Sequence, residues 1–284
     1  MSKQSQQEKA EALLALHHGG EMLILPNVWN PIGARVLQTK GYPAVATASA
    51  ALSASLGYED GERIKRSTLI EFLGRIAGCV DVPVTADIER GYGGSLAELE
   101  ETAGQVIDAG IVGINLEDSI DERKGALRPV AEQCARISAV RRVGEHRNIH
   151  LVINARVDCF LSPLFSDKTE ALAETVSRAR AYSEAGADCI YPIGPGDERT
   201  VGILRERIKL PINILASPNA VPLSTLRRLG VSRVSFGPFV FRSCLGQFVK
   251  IAETLRADGD YGCLGNVLSG AQVAEYLPKD LEEK

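Results

Sequence analysis

The sequence predicts an α/β chain folded as a parallel (β/α)8 barrel of the TIM type, with a helix ahead of it and a helical extension behind. Eight short apolar runs are each followed by a segment of helical period. The runs are too uniformly apolar to leave one face wet, as expected of parallel strands covered on both sides. An open doubly wound sheet is the alternative, but it would want G-x-G-x-x-G after its first strand, and "LPNVWNPIGARV" (25–36) has no such spacing.

Taken in order, residues 3–18 read as an extra helix. The strands follow as "MLILPNV" (22–28), "PAVATAS" (43–49), "VPVTADI" (82–88), "VGINLED" (112–118), "HLVINARVD" (150–158), "DCIYPIG" (188–194), "LPINILA" (210–216) and "SRVSFG" (232–237). Four helices end in glycine just before the next strand, in "LQTKGYPAV", "VIDAGIVGI", "YSEAGADCI" and "RRLGVSRV", where glycine suits a left-handed C-cap. Residues 265–284 read as a helix-like tail. No Pro/Gly/Ser-rich linker divides the chain, so it is expected to be one domain, with the barrel at about 21–255 and the tail at 256–284.

Composition narrows the function. The 284 residues are 45% hydrophobic and 24% charged, ordinary globular usage. A net charge of −4 and no run of lysine or arginine make nucleic acid an unexpected partner. No apolar stretch approaches the roughly 20 residues that span a bilayer, and the N-terminus has no secretory pattern. The expected compartment is the cytoplasm, which fits six cysteines scattered without C-x-x-C spacing, read as reduced and mostly buried thiols. A small molecule remains the expected partner.

In a barrel of this kind the active site lies where strands end. Thr47, Ala48 and Ser49 end the second run, Asp87 and Glu89 the third, Glu117 and Asp118 the fourth, Arg156 and Asp158 the fifth. Asn213 sits on the seventh, and Asp60 in the loop after the second. Positions i and i+2 of a strand share a face, so Asp87 and Glu89 point the same way. Any one such carboxylate could be a helix cap, but Asp60, Asp87, Glu89 and Glu117 at one mouth must protonate or share a cation. Oxygen donors without histidine or thiolate favour a hard divalent ion, Mg²⁺ or Mn²⁺. Arg156, within an apolar strand, is either a structural ion pair with Asp158 or Glu117 or a clamp for an anionic substrate.

These segments, from "LPNVWNPIGARVL" through "SLGYEDGE", "VTADIERGYG", "GINLEDS", "INARVD" and "VSFG", resemble the phosphoenolpyruvate mutase/isocitrate lyase superfamily over nearly the whole chain. The resemblance implies a barrel whose eighth helix is exchanged between subunits of a homodimer or homotetramer. It also implies Mg²⁺ on Asp87, with Asp60, Glu89 and Glu117 acting largely through water, Arg156 on the substrate, and the substrate carboxylate at Thr47, Ala48 and Ser49. The implied chemistry is cleavage or rearrangement of a C–C or C–P bond next to a 2-oxo acid through a metal-stabilised enolate.

The loop after the fourth strand departs from parts of that family. "EDSIDERKGALRPVAEQCARI" lacks the K-[KR]-C-G-H of the isocitrate and methylisocitrate lyases, and Cys134 falls inside a helical pattern, so isocitrate cleavage is not expected. Arg123, Lys124 and Arg128 could form a cationic lid or a solvated loop, without the asparagine of the phosphonate-forming mutases. Two other readings stand beside a lyase or mutase: decarboxylation or hydrolysis of an oxaloacetate-like compound, and a barrel that binds a dicarboxylate without turning it over.

Overall fold

A computed structural model describes residues 5–121, 125–257, 261–265 and 267–277. Helix α1 (Gln6–His18) opens on a capping box, in which the Ser5 hydroxyl accepts the Glu8 N–H and the Glu8 carboxylate accepts the Ser5 N–H. It turns Ala10 and Leu13 onto Leu23, Ala44, Val112 and Val152, residues at strand starts, so it covers the N-terminal end of the sheet.

The strands are β1 (Leu23–Leu25), β2 (Asn27–Val28), β3 (Val45–Thr47), β4 (Val84–Asp87), β5 (Gly113–Glu117), the hairpin strands β6 (Ser119–Asp121) and β7 (Ala126–Leu127), β8 (Val152–Val157), β9 (Cys189–Pro192), β10 (Asn213–Leu215) and β11 (Arg233–Ser235). Six pair in parallel in the order β2-β3-β4-β5-β8-β9, and three in the order β1-β11-β10. Between β1 and β2 stands only Pro26, which has no N–H for a ladder. A parallel bridge, Ile190 to Ile212, lies between the last strand of the first sheet and the residue preceding β10. The small antiparallel pair β6/β7 stands apart, directly after the end of β5.

The helices are α2 (Pro31–Thr39), α3 (Ser49–Ser55), α4 (Arg66–Gly78), α5 (Leu96–Asp108), α6 (Val130–His146), α7 (Lys168–Glu184), α8 (Glu198–Arg207), α9 (Leu223–Arg228), α10 (Phe239–Ala257) and α11 (Gly270–Ala274). Several start where the sequence offers a cap: Asn30 for α2, Ser95 for α5, Asp167 for α7 and Asp197 for α8 each accept a backbone N–H of the first turn. Gly41, Gly110, Gly186 and Gly230, the glycines expected at helix ends, all have positive φ. The main core lies between strands and helices and joins Val45, Val84, Ile114, Ile153, Ile190 and Val234 to Leu73, Leu99, Ile137, Val201 and Leu226.

Two expectations need adjustment. The second strand stops at Thr47, and Ser49 is the first residue of α3, because its N–H and hydroxyl both turn to the Asp87 carboxylate. The tail is only partly helical: a single 3₁₀ turn (Gly262–Leu264) and the five-residue α11, with 278–284 outside the described residues. Helix α10 buries none of its residues, and Leu245, Phe248, Val249 and Leu255 stand exposed along it.

Candidate active site

At the C-terminal ends of β3, β4, β5 and β8 the structure gathers most of the residues singled out above. Asp87 ends β4 and is held by its neighbour strand: its Oδ2 accepts the Ser49 hydroxyl at 2.8 Å and the Ser49 N–H at 3.2 Å, and its own N–H donates to Thr47 Oγ1 at 3.0 Å. Asp87 Oδ1 also accepts the Glu89 N–H at 3.3 Å. Thr47, Ala48 and Ser49 are buried in the wall beside that carboxylate.

Glu89 is buried and takes two neutral donors, the Glu62 N–H at Oε2 and the Tyr92 hydroxyl at Oε1 (3.1 Å). Its pKa is pushed up to about 8, first by burial and then by the charges of Asp60 and Asp87. Tyr92 is pushed up as well, by burial and by Glu89. Glu62 was not singled out from sequence. Its carboxylate accepts the Tyr92 N–H at 2.7 Å and stands 3.4 Å from the Arg90 guanidinium, while Arg90 also donates to the Gly61 carbonyl at 2.9 Å.

Across the mouth the carboxylates are differently served. Arg156 pairs bidentately with Asp158 (2.8 and 2.7 Å) and meets Glu117 Oε2 at 2.6 Å, so the structural ion pair is formed with both candidate partners at once. Glu117 also accepts the Ser119 hydroxyl at 2.8 Å. Arg156 is held protonated well above its ordinary value; burial opposes this, and Asp158 and Glu117 outweigh it. Behind them Asp118, fully buried, accepts from Arg178 at 3.0 Å, from the Tyr182 hydroxyl at 2.7 Å and from the Asp158 N–H at 3.0 Å. This second guanidinium–carboxylate pair ties the end of β5 to α7, and Arg178 also donates to the Arg128 carbonyl, just past the β6/β7 hairpin.

Asn213 opens β10 rather than ending it. It is fully buried beside Arg233 in the parallel register and donates to the Ser235 hydroxyl at 3.0 Å, one layer beneath the mouth. That layer is polar. Asn115 accepts from Asn154 at 2.8 Å and from Arg233 at 3.3 Å, and Arg233 also lies 3.5 Å from His17 Nε2. A polar lining inside a run that reads as apolar had no clear signal beyond the lone asparagines and arginine at i positions of each strand.

Arg123 and Lys124 lie outside the described residues, so the cationic lid is described only at Arg128, whose guanidinium pairs with Glu132. Cys134 lies in α6, and Cys159 is buried, its thiol pushed up to about 12 by burial, so neither is poised as a nucleophile. A 200 Å³ cavity beside the hairpin is lined by Ser119, Gly125, Leu127, Arg156, Asp158 and Leu161, among others. Among the described residues, no three His, Cys, Asp or Glu side chains form a set able to hold a metal directly. None of their helices is long and apolar enough to cross a membrane.

The fold is an α/β one with an acidic mouth at the ends of its parallel strands and a guanidinium built into one wall. Residues 13–256 match the phosphoenolpyruvate phosphomutase family, and the chain belongs to that family, within the phosphoenolpyruvate mutase/isocitrate lyase superfamily of enzymes. It is 34% identical over 245 residues to the uncharacterized protein Rv1998c of Mycobacterium tuberculosis, covering 86% of this chain and 88% of that one. It is 28% identical over 247 residues to the oxaloacetate decarboxylase of Pseudomonas putida (84% and 81%). Among solved structures, phosphonopyruvate hydrolase in complex with oxalate and Mg²⁺ superposes with a TM-score of 0.82 at 25% identity, covering 94% of each chain.

Proposed function

We propose that this chain is a Mg²⁺-dependent enzyme that cleaves or rearranges a C–C or C–P bond next to a 2-oxo acid, through an enolate. The observation that carries the reading is the division of the mouth. Glu117, Asp158 and Asp118 are neutralised by guanidinium groups, whereas Asp87 and Glu89 take hydrogen bonds from neutral N–H and O–H donors. The acids at the ends of β5 and β8 are thus paired with guanidinium groups while Asp87 and Glu89 are held by neutral donors, and burial has already pushed Glu89 toward its protonated form. All-oxygen donors fit Mg²⁺, with Mn²⁺ as substitute. Asp87 would hold the ion directly and Asp60, Glu89 and Glu117 through water, an arrangement that needs no preformed three-residue chelate.

Once bound, the ion supplies Lewis-acid stabilisation of an enolate oxygen. The chain's own residues do the rest. Thr47, Ala48 and Ser49 shape the wall that receives the substrate carboxylate, and Arg156 presents its charge to the substrate from a strand end fixed by Asp158 and Glu117. Glu117 ends β5 directly before the loop in which Arg123 and Lys124 are proposed, from sequence, to supply positive charge to the departing group, and Asn213 is proposed to support the floor. Without K-[KR]-C-G-H the segment lacks the cysteine acid of isocitrate cleavage. A second reading, decarboxylation or hydrolysis of an oxaloacetate-like compound, needs fewer cations in that segment; the pairing of Arg128 with Glu132 favours it.

The two parallel sheets are proposed to be one closed (β/α)8 barrel, supported by the β1–β11 pairing, the single-residue gap at Pro26 and the Ile190–Ile212 bridge. Helix α10 is proposed to be exchanged between subunits of a cytoplasmic homodimer or homotetramer: its apolar side chains are exposed, and within the chain Phe241 meets Trp29 edge-on at 5.2 Å. The function is tested by incubating the protein with Mg²⁺ and oxaloacetate, alkylmalates, methylisocitrate or phosphonopyruvate and following pyruvate. Turnover of one or more that is abolished by EDTA and by Asp87→Ala is expected. No turnover of any, or full activity of Asp87→Ala, sinks the reading.

A further inference from the structure

The loops that carry Asp60 and Glu89 are strained and laced together. Gly61 and Gly91 have φ of +99° and +97°, and three side-chain-bearing residues, Glu62, Glu89 and Tyr92, also adopt positive φ (60°, 52° and 52°). Left-handed backbone costs a residue with a side chain about 1 kcal/mol or more and persists only where surrounding contacts impose it. Here those contacts centre on Glu62. Its N–H donates to Glu89, its carboxylate accepts the Tyr92 N–H, and Tyr92 returns its hydroxyl to Glu89, closing a ring of three hydrogen bonds of which the two made by Glu62 cross between the loops.

Arg90 adds a strap, reaching the Gly61 carbonyl and the Glu62 carboxylate from the second loop to the first. The second loop is itself pinned from below by the buried Arg136, which donates to the carbonyls of Arg90 and Gly93. On the first loop these cross-loop bonds are received at Gly61 and Glu62, within two residues of Asp60.

We infer that Glu62 is a positioning residue: its carboxylate clasps the loop bearing Asp60 to the loop bearing Glu89, and so sets the spacing of these two acids at the mouth. This rests on the proposed Mg²⁺ site for its consequence in affinity, but not for the clasp itself. Losing the Glu62 carboxylate frees the Tyr92 N–H and one end of the Arg90 strap, leaving the Glu62 N–H to Glu89 as the tie through this residue.

The experiment measures two things on wild type, Glu62→Ala and Glu62→Gln without substrate: Mg²⁺ binding by calorimetry, and amide hydrogen exchange over 57–65 and 88–95. The alanine variant is expected to weaken Mg²⁺ binding about 10- to 100-fold, as groups that orient metal ligands do, with faster exchange in both segments. The glutamine variant keeps an acceptor for the Tyr92 N–H and should recover most of both. Wild-type Mg²⁺ affinity in Glu62→Ala, or loops as protected as in wild type, overturns the inference. If wild type itself binds no Mg²⁺, the metal reading fails separately, and the exchange data alone decide the clasp: loosening by alanine with recovery by glutamine sustains it, and no loosening overturns it.

Discussion

Binding of Mg²⁺ should expel a proton from this protein, and the raised pKa of Glu89 sets the expected size of that release. Glu89 is buried among Asp60, Asp87 and Glu62, and its pKa of about 8 lies well above the ordinary 4.5. With that value, about 0.9 of the molecules carry a proton on Glu89 at pH 7, falling to about 0.5 at pH 8 and about 0.1 at pH 9. A dication among these carboxylates favours the ionised form, so binding at pH 7 should release about 0.9 proton per site. Apparent affinity should rise nearly tenfold per pH unit up to about pH 8 and flatten above it.

The assay is calorimetric titration of the metal-free protein with MgCl₂ at pH 7 in buffers of different ionisation enthalpy, where the slope of observed heat against buffer enthalpy counts protons. Glu89→Gln removes the titrating group and should reduce the slope to near zero while leaving a weaker, pH-flat binding isotherm. The same raised pKa makes a statement about stability. The native state holds a proton that the unfolded chain has already lost above pH 4.5, so without metal the fold should weaken as pH rises from about 4.5 to 8, and Mg²⁺ should offset that loss. Proton release near zero at pH 7 in wild type, with tight Mg²⁺ binding, would refute the placement of Glu89 among unneutralised charges.

Three further outcomes are expected. His17 is buried, its pKa lowered to about 4 by burial and then by Arg233, so its contribution is complete above about pH 6.5 and lost as pH falls toward 4; urea titrations of wild type against His17→Gln should diverge by up to about 3 kcal/mol over that window. Arg178→Met strands the buried Asp118 carboxylate and should cost about 3–5 kcal/mol in chemical denaturation, with Asp118→Asn in the same chain recovering part of it. Phe248→Glu on the exposed stripe of α10 should lower the molar mass seen by light scattering if that helix is exchanged, and should leave it unchanged if the helix stays with its own chain.

Much of the fold was legible because it rests on patterns that survive in one dimension. Uniformly apolar runs marked the strands, and glycines 41, 110, 186 and 230 marked helix ends whose left-handed backbone follows from the residue type. The acidic strand ends were legible for the same reason, since a carboxylate on an apolar strand is conspicuous. Glu62 was not. It sits in "YEDGER", where any of three acids could be solvent-facing, and its role depends on a left-handed backbone and on a loop 27 residues downstream. The Asp118–Arg178–Tyr182 anchor was hidden likewise: Arg178 reads as one charge of an amphipathic helix until the fold brings it to a residue 60 positions away. Arg233 reads as a strand residue of unknown facing, since only the register with Asn213 places it inside.

The distribution of arginines explains why acids this numerous can share one end of a small sheet. Arg156 and Arg178 sit within ion-pair distance of Glu117, Asp158 and Asp118 and remove their mutual repulsion. Arg136 and Arg233, both buried, instead meet carbonyls, an asparagine oxygen and an imidazole. Neither is paired with a particular acid, and burial lowers the pKa of Arg233, which Cys189, Tyr191 and then Asp87 only partly offset. On the side occupied by Asp87 and Glu89 the nearby guanidinium, Arg90, pairs with Glu62, and Asp87 and Glu89 themselves are held by neutral donors. A mobile cation can bind there without displacing a guanidinium, whereas on the Glu117–Asp158 side it would have to break a buried bidentate pair. On the proposed reading that asymmetry favours direct binding of the metal at Asp87 on the β4 side, with Glu117 reached through water and Arg156 fixed opposite, where an anionic substrate would bridge the two.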